Sequence, residues 1–376
     1  MLKKILFPIL LLMSFLGYSQ NIQLSDETEV SILTCGTGNE SYSLYGHTGI
    51  RIKDIQNNLD IVYNYGTFDF ETPNFILKFV KGDLQYFMSV SNYPNFEYGY
   101  QYENRSIYQQ TLSLSQEKKQ ILFNSLNADL NSNKRFYTYK FIDRNCTNMV
   151  VDKVNAVLGQ KIITTKKPIE ITYREILFPY SKQHFFEQLG INIIFGTKVD
   201  QKAKRLFLPL ELLAVLKETK MDGKPIVTAT KTLFEARPTT FTPSVLNSIY
   251  VIIVFLGSIV LVNKKGINLF YFGSMGLVGL FLCLVGFYSF HEEVMWNYNA
   301  LLFNPLYLIF IVYYFKNDTK KIVLWGKIII ALLLMYLVYI LNKVHLYLML
   351  PFIIGHFILL SSIILQTKKQ LLSSSK

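Results

Sequence analysis

The chain has 376 residues, of which 51% are hydrophobic and 15% aromatic, and its formal net charge is +12. This composition is too apolar for an ordinary soluble protein and too charged for one that lies wholly in a membrane, so the chain should divide into two parts. The positive charge does not indicate a nucleic-acid partner, because the sequence has no basic stripe with interleaved aromatic residues. Many lysines instead mark the ends of apolar segments, where anionic lipid headgroups are the expected partner.

The first 19 residues are typical of a signal peptide. Two lysines precede an apolar run that is too short for a settled transmembrane helix, and small residues follow at Gly17 and Ser19. We expect cleavage near Ser19; the alternative is an uncleaved N-terminal anchor. Residues 20–241 are mixed and polar, with no stretch long and apolar enough to cross a bilayer, and they form the predicted exported domain.

The exported domain is predicted to be α+β, with an antiparallel sheet in its first half. Helical spacing of apolar residues, after a capping signature at Ser115, predicts a helix over 116–130. A second helix is predicted over 146–158, with Asn145 as its N-cap and Gly159 as its stop. Alternating side chains bounded by Gly, Asn and Pro predict four strands, in "EVSILTCGTG", "HTGIRIKD", "LDIVYNYGTFDF" and "LQYFMSVS".

Residues 242–369 are predicted to form a transmembrane bundle of about five helices, followed by a cytoplasmic tail at 370–376. Lysines follow the first, third and fifth predicted spans, whereas the loop "HEEVMWNYN" after the second has none. Because basic residues stay on the cytoplasmic side, the linker "ARPTTFTPS" should join the bundle to a domain outside the cytoplasm. The predicted spans lie near 246–262, 267–290, 301–315, 322–341 and 346–366.

Cys146 is the candidate nucleophile, because it lies in the first turn of a predicted helix. A helix N-terminus carries partial positive charge and unpaired N–H groups, which favour a thiolate and can hold an oxyanion. The exported domain has two histidines that could act as its base, and we favour His47, which begins a predicted strand, over His184. Two alternatives stay open: a structural disulfide between Cys35 and Cys146, and a purely structural role for His47.

The order of the two motifs, "GHTGI" before "RNCTNMV", is reversed relative to papain-like enzymes. It resembles the circularly permuted papain-like group typified by lecithin-retinol acyltransferases. A wider set of segments resembles the Lnb type of bacterial lipoprotein N-acyltransferase across nearly the whole mature chain. These segments are "YSLYGHTGIRI", "VYNYGTFDF", "FVKGDLQYFMSV", "ENRSIYQQTLSLS", "FYTYKFIDRNCTNMVVDKV" and "WNYNALLFNPL".

The resemblance implies a permuted papain-like domain in the periplasm, anchored in the bacterial inner membrane. It implies that Cys146 is the nucleophile and His47 its general base, in a transfer of an acyl chain from a phospholipid, through a thioester, to the α-amino group of a diacylglyceryl-cysteine lipoprotein. The family pattern leads us to expect a more polar, Thr-Arg-like continuation where this chain has Asn148 and Met149. Neither a cofactor nor a metal is expected.

Further residues are expected to support this chemistry. Asn64, on the next predicted strand, could accept a hydrogen bond from the imidazole and orient it; the alternative is that it only shapes a turn. Glu292 and its neighbour Glu293 could attract the substrate ammonium, or lie in a merely solvated loop. The expected substrate contacts are Tyr45, Tyr63, Asn145, Glu292, Trp296 and Asn297.

Two other functions stay open. The same Cys/His fold serves cell-wall peptidases, although these need no polytopic membrane domain. A non-catalytic, membrane-anchored binding or assembly factor is the second alternative, in which case the Cys146 and His47 pair would be coincidental.

Overall fold

A computed structural model describes residues 22–165, 170–238 and 244–374. The expected signal peptide and most of the expected linker lie outside these residues. The described chain forms a sheet-rich α+β domain followed by a helical bundle, which confirms the predicted fold class.

The N-terminal domain is built on one antiparallel sheet of seven strands. Four of these were predicted: β1 (Glu29–Cys35), β2 (His47–Asp54), β3 (Leu59–Thr67) and β4 (Gln85–Asn92). Three others were not: β5 (Ile107–Leu112), β6 (Phe136–Thr138) and an edge strand, Val227–Phe234. In space the order is β6-β4-β3-β2-β1-β5 and then the edge strand, which we call β9 because a small hairpin, β7 (Lys220–Met221) and β8 (Lys224–Pro225), precedes it.

Helices cover both faces of this sheet. The first four are α1 (Phe75–Lys81), α2 (Tyr93–Tyr102), α3 (Gln116–Leu130) and α4 (Cys146–Leu158); α5 (Tyr173–Leu177), α6 (Phe185–Ile194) and α7 (Pro209–Glu218) follow. The largest core lies between the sheet and the pair α3 and α4, whereas α2 packs through Phe96 on the opposite face. Because side chains alternate along a strand, Ile50 and Ile52 enter the first core, and His47 points to the other face.

The two predicted helices have the expected bounds. Helix α3 begins after Ser115, whose side chain accepts a hydrogen bond from Lys118 N. The capping signature is nevertheless incomplete, because the third helical residue is Lys118, which has no side-chain acceptor to return the bond. Helix α4 ends at Gly159, which adopts a left-handed conformation with φ of 77° and closes the last turn with its N–H group.

The bundle consists of five helices in the described chain: α8 (Ile249–Val262), α9 (Lys265–Tyr288), α10 (Leu306–Phe315), α11 (Thr319–Ile340) and α12 (Leu346–Ser374). Four segments are long and apolar enough to cross a membrane, the second of them counted from Glu292 to Phe315. Two expectations need correction. The first span begins at Ile249 and has only 14 residues, and the third contains short 3-10 turns before its α-helix starts at Leu306.

Candidate active site

The start of α4 is held by a reciprocal pair of asparagines. Asn145 Oδ1 accepts from Asn148 N at 3.0 Å, and Asn148 Oδ1 accepts from Asn145 N at 2.7 Å. Each amide nitrogen donates to two backbone carbonyl groups, among them Phe207 O for Asn145 and Leu206 O for Asn148. Asn148 is thus the second half of a capping box, which accounts for an amide at the position where we expected a different polar pattern. Asn145 is buried in this framework, and its side chain bonds to the start of the helix and does not face a substrate space.

The Cys146 thiol lies between the start of α4 and the start of β2. Backbone N–H groups of Thr48, Thr147 and Cys146 hydrogen-bond to the sulfur and favour its thiolate, but burial opposes them more strongly and raises the pKa of the thiol. The two chain segments are joined by Thr48 Oγ1 and Thr147 Oγ1, which lie 3.1 Å apart. Sequence reasoning missed this hydroxyl pair, since no motif links residues so far apart.

The His47 imidazole is oriented by the residue that we expected on the next strand. Its Nε2 lies 3.2 Å from Asn64 Oδ1. The Asn64 amide nitrogen faces Val62 O at 3.3 Å and Ser91 Oγ at 3.4 Å, so the amide oxygen is the atom turned towards the ring. A carbonyl oxygen can only accept, so Nε2 carries the proton and Nδ1 is left as the acceptor.

The imidazole is uncharged at neutral pH. Burial lowers the pKa of His47 to about 4, against an opposing contribution from the Asn64 hydrogen bond and with a smaller lowering by the Arg105 charge. The thiol lies beside the peptide group that joins His47 to Thr48, since Thr48 N donates to the sulfur. Nucleophile and base candidates are therefore neighbours in the fold, and both are neutral.

Cys35 is the nearest other thiol. It pairs with His47 in the register of β1 and β2, and its side chain hydrogen-bonds to the Tyr100 hydroxyl. All three cysteines of the chain are free, so no disulfide joins Cys35 to Cys146 in this structure.

The residue before His47 has no room for a side chain. Gly46 has φ of 80°, and a Cβ placed there would lie 2.6 Å from Cys35 O. Just before it, Tyr45 packs edge-on against Phe141, with ring centroids 5.2 Å apart, and against Tyr180. The Tyr45 hydroxyl is buried and has no hydrogen-bond partner in the described part of the chain. Tyr45 thus lies next to the candidate site, and its hydroxyl group is unpartnered among the described residues.

Tyr63 does not reach the thiol with its polar group. It is fully buried in the core below α3, and its hydroxyl donates to Asn127 Oδ1 at 2.8 Å. Its neighbour Asn64 points to the opposite face of the strand. The structure therefore separates these two expected site residues.

The loop between α9 and α10 reaches the site through the chain that precedes Cys146. Glu292 accepts from Lys140 Nζ at 2.7 Å and also pairs with Lys198, which pairs in turn with Asp143. The neighbouring Glu293, only 1% exposed, accepts from Ile142 N at 3.1 Å. Both carboxylates thus hold the nucleophile loop, and Oε2 of Glu293 is buried without a hydrogen-bond partner among the described residues.

The other two expected residues of this loop differ in role. Asn297 is buried and donates to Ile193 O and Ile194 O at 2.8 Å, which ties the loop to the end of α6. Trp296 is 80% exposed, with a left-handed φ of 51°. An exposed tryptophan near the end of an apolar helix is typical of a membrane–water interface. Among the described residues, no group of three or more His, Cys, Asp or Glu side chains could hold a metal ion.

The fold and this site together define a multi-pass membrane protein whose α+β domain carries a candidate cysteine–histidine centre. Two family models match the chain: the Lnb N-terminal periplasmic domain at residues 16–177 and the Lnb transmembrane domain at residues 235–371. The chain belongs to the Lnb family, as the sequence motifs suggested, and its α+β domain is periplasmic. No curated protein and no solved structure matches it.

Proposed function

We propose that the protein is an acyltransferase that moves an acyl chain from a phospholipid to the free α-amino group of a diacylglyceryl-cysteine lipoprotein. The observation that carries this proposal is a free thiol at a helix N-terminus that accepts a hydrogen bond from Thr48 N, the residue after a neutral imidazole whose Nε2 faces Asn64 Oδ1. A nucleophile, a base and an orienting acceptor are the parts that covalent acyl transfer requires.

In the first half of the reaction, His47 Nδ1 takes the proton of the Cys146 thiol as the sulfur attacks the ester carbonyl carbon. The N–H groups of Thr48 and Thr147, which point at the sulfur, are placed to donate to the oxyanion that forms next to it. The carbon–oxygen bond then breaks, the proton passes from the imidazolium to the leaving glycerol oxygen, and a lysophospholipid departs. An acyl thioester stays on Cys146.

In the second half, the lipoprotein amine attacks the thioester carbonyl carbon, and His47 takes a proton from the attacking nitrogen. The carbon–sulfur bond breaks, the sulfur regains a proton, and an amide is released. An uncharged imidazole can accept a proton in both halves; its lowered pKa makes it a weaker base and makes its imidazolium a stronger acid towards the leaving group. The pKa of about 4 keeps His47 uncharged throughout the neutral range.

The attachment of the site to the bundle favours a lipid substrate over a cell-wall peptide. The nucleophile loop is held from the membrane side by Glu292 and Glu293, so the thiol is fixed relative to the helices that cross the membrane. A peptidase acting on the wall would gain nothing from this attachment. A substrate that keeps its acyl chains in the bilayer would gain a fixed distance to the thiol.

The test is to trap the thioester. Purified protein given phospholipid without an acceptor should gain one fatty-acyl mass on the peptide containing Cys146, and neutral hydroxylamine should remove it. A diacylglyceryl-cysteinyl peptide should discharge the adduct as an N-acyl product, whereas the same peptide with an acetylated amine should not.

The control is Cys146→Ala, which should form no adduct. Acyl transfer at an undiminished rate in that variant would overturn the mechanism. Peptidoglycan cleavage without a lipid adduct would favour the peptidase, and non-covalent lipid binding alone would favour the binding factor. The masses of lipoprotein N-termini from cells with and without the protein would show whether the same reaction occurs in vivo.

A further inference from the structure

Helix α1 presents an apolar surface to the outside of the periplasmic domain. None of its seven residues is buried, and Ile76, Leu77 and Phe79 are 74%, 63% and 50% exposed. Phe70, in the loop before it, is 66% exposed. Contiguous exposed side chains of this size in a water-soluble surface mark a contact with another apolar phase or partner.

This surface adjoins the end of a membrane-spanning helix. The chain that follows α9 makes three hydrogen bonds to carbonyl oxygens of α1, and Lys81 Nζ lies 5.5 Å from the centre of the Phe290 ring. At the end of α9, Phe287 is 90% exposed and Tyr288 is 55% exposed, so the apolar surface of the span continues towards α1. The three bonds are Phe290 N to Lys81 O (2.7 Å), Ser289 Oγ to Val80 O (2.8 Å) and His291 Nε2 to Phe79 O (2.8 Å).

The charged side chains of α1 itself are Lys78 and Lys81 in its last turn. Asp69 and Glu71, in the loop before the helix, are exposed. Behind α1 is a cavity of about 740 Å³, whose lining includes Asp69, Lys78, Asp83 and Arg144. The exposed apolar face of α1, next to the end of a span and with Lys81 in its last turn, fits a helix at the bilayer surface.

Aromatic rings lead from this surface towards the thiol. Ring centroids lie 5.9 Å apart between Phe75 and Phe68, 5.3 Å between Phe68 and Tyr86, and 4.6 Å between Tyr86 and Tyr139. The last ring is next to Gly66, where an added Cβ would lie 3.8 Å from Tyr139 Cε2 and 3.7 Å from Cys146 Cβ. A continuous row of aromatic contacts therefore runs from α1 to the nucleophile.

We propose that helix α1, together with Phe70 before it, lies in the periplasmic surface of the lipid bilayer and that acyl chains reach Cys146 along this row of aromatic rings. The occupant of the apolar face is the membrane itself, because the face is continuous with the lipid-exposed end of α9. The second half of this proposal rests on the acyl-transfer function proposed above, whereas the contact with the bilayer does not.

The chain offers a matched pair of positions for the test. Ile76 in α1 and Ile55 in the turn between β2 and β3 are both isoleucines that are 74% exposed, and Ile55 lies at the opposite end of the strands from His47. Ile76→Trp and Ile55→Trp are each reconstituted in nanodiscs made with brominated or unbrominated phosphatidylcholine. The fluorescence of the introduced tryptophan is obtained by subtracting the emission of the parent protein. Brominated lipid should quench it at least twofold for Ile76→Trp and leave it unchanged for Ile55→Trp. Equal quenching at the two positions, or none at position 76, overturns the proposal.

A second pair tests the path. Ile76→Asp should slow acyl-enzyme formation from bilayer phospholipid on the order of tenfold, because a carboxylate resists entry into the interface, whereas Ile55→Asp should not. A water-soluble short-chain ester should acylate both variants equally, which shows that each folds.

Quenching at position 76 without an acyl-enzyme in the parent protein would uphold the bilayer contact and overturn the acyl-transfer function. Equal rates for the two Asp variants on bilayer phospholipid would overturn the path.

Discussion

Cys146 and Cys35 are both free and buried, and both lie close to His47, yet their surroundings differ. Cys35 ends a strand among apolar side chains, where burial raises the pKa of its thiol to about 12. Cys146 begins a helix, where three backbone N–H groups oppose the effect of burial. Burial and proximity to a histidine are therefore common to both thiols. The N–H groups of the helix start and of Thr48 in β2 distinguish the candidate nucleophile from the core residue.

Removing each thiol in turn is the most direct test of this difference between Cys146 and Cys35. Cys146→Ala should lower acyl transfer by at least about 10⁴-fold, since the acyl thioester cannot form without the Cys146 sulfur. Cys35→Ala should stay within about threefold of the parent rate. Thioester formation followed by mass spectrometry measures both variants, and a reversed pattern would move the nucleophile to β1. Peptide mapping without reductant should recover both cysteines unlinked in the parent protein.

The second comparison asks whether His47 serves the thiol. His47→Ala should slow transfer on the order of 10²-fold or more, because proton transfer is lost while the strand is kept. His184→Ala is the matched control, since His184 lies at the start of α6 and makes no side-chain cap there. A folded His47→Ala variant with near-normal turnover, together with a slow His184→Ala variant, would reassign the base.

The environment of Cys146 shows what could be predicted from sequence. Helix α4 is specified locally: Asn145, Asn148 and Gly159 lie within it or directly beside it, and its bounds matched the prediction. Strand β5 was missed because its two glutamines, Gln109 and Gln110, look solvent-exposed in a sequence but are buried. Gln110 reaches Leu213 O and Gln109 accepts from Arg51, partners that no local pattern reveals.

The roles of the loop glutamates were beyond sequence reasoning for the same reason. Both were expected either to attract the substrate ammonium or to lie in a solvated loop. Their partners Lys140 and Ile142 are about 150 residues away along the chain. Asn64 was easier to identify, because it lies on the strand next to that of His47. In the register of β2 and β3 it pairs with Gly49, two residues after His47.

The pH dependence of transfer sharpens the assignment of His47. Since the pKa of His47 is lowered to about 4, the neutral base persists down to that pH, and kcat/KM should fall only as the pH approaches 4. Asn64→Asp places a carboxylate against Nε2, which stabilises the imidazolium, so the acidic limb should move to higher pH. Asn64→Ala should slow transfer about tenfold through loss of orientation. An unmoved limb in Asn64→Asp would show that another group titrates.

The smallest expected effect concerns how the membrane loop holds the nucleophile loop. Glu293 accepts from Ile142 N, and Ile142 O accepts from Asn148, so the residue that helps cap α4 is linked to the bundle through one peptide segment. Glu293→Ala removes the acceptor and should lower kcat about three- to tenfold with KM unchanged, because it loosens the start of α4 without touching the substrate. Glu293→Gln keeps a carbonyl oxygen at that place and should restore most of the rate. In Glu293→Ala, the rate at which a thiol reagent alkylates Cys146 should change, and the rate at Cys35 should stay the same. Only Cys146 lies on the loop that Glu293 holds. Equal changes at both thiols would indicate general loosening of the domain, and the helix start would no longer explain why the two cysteines differ.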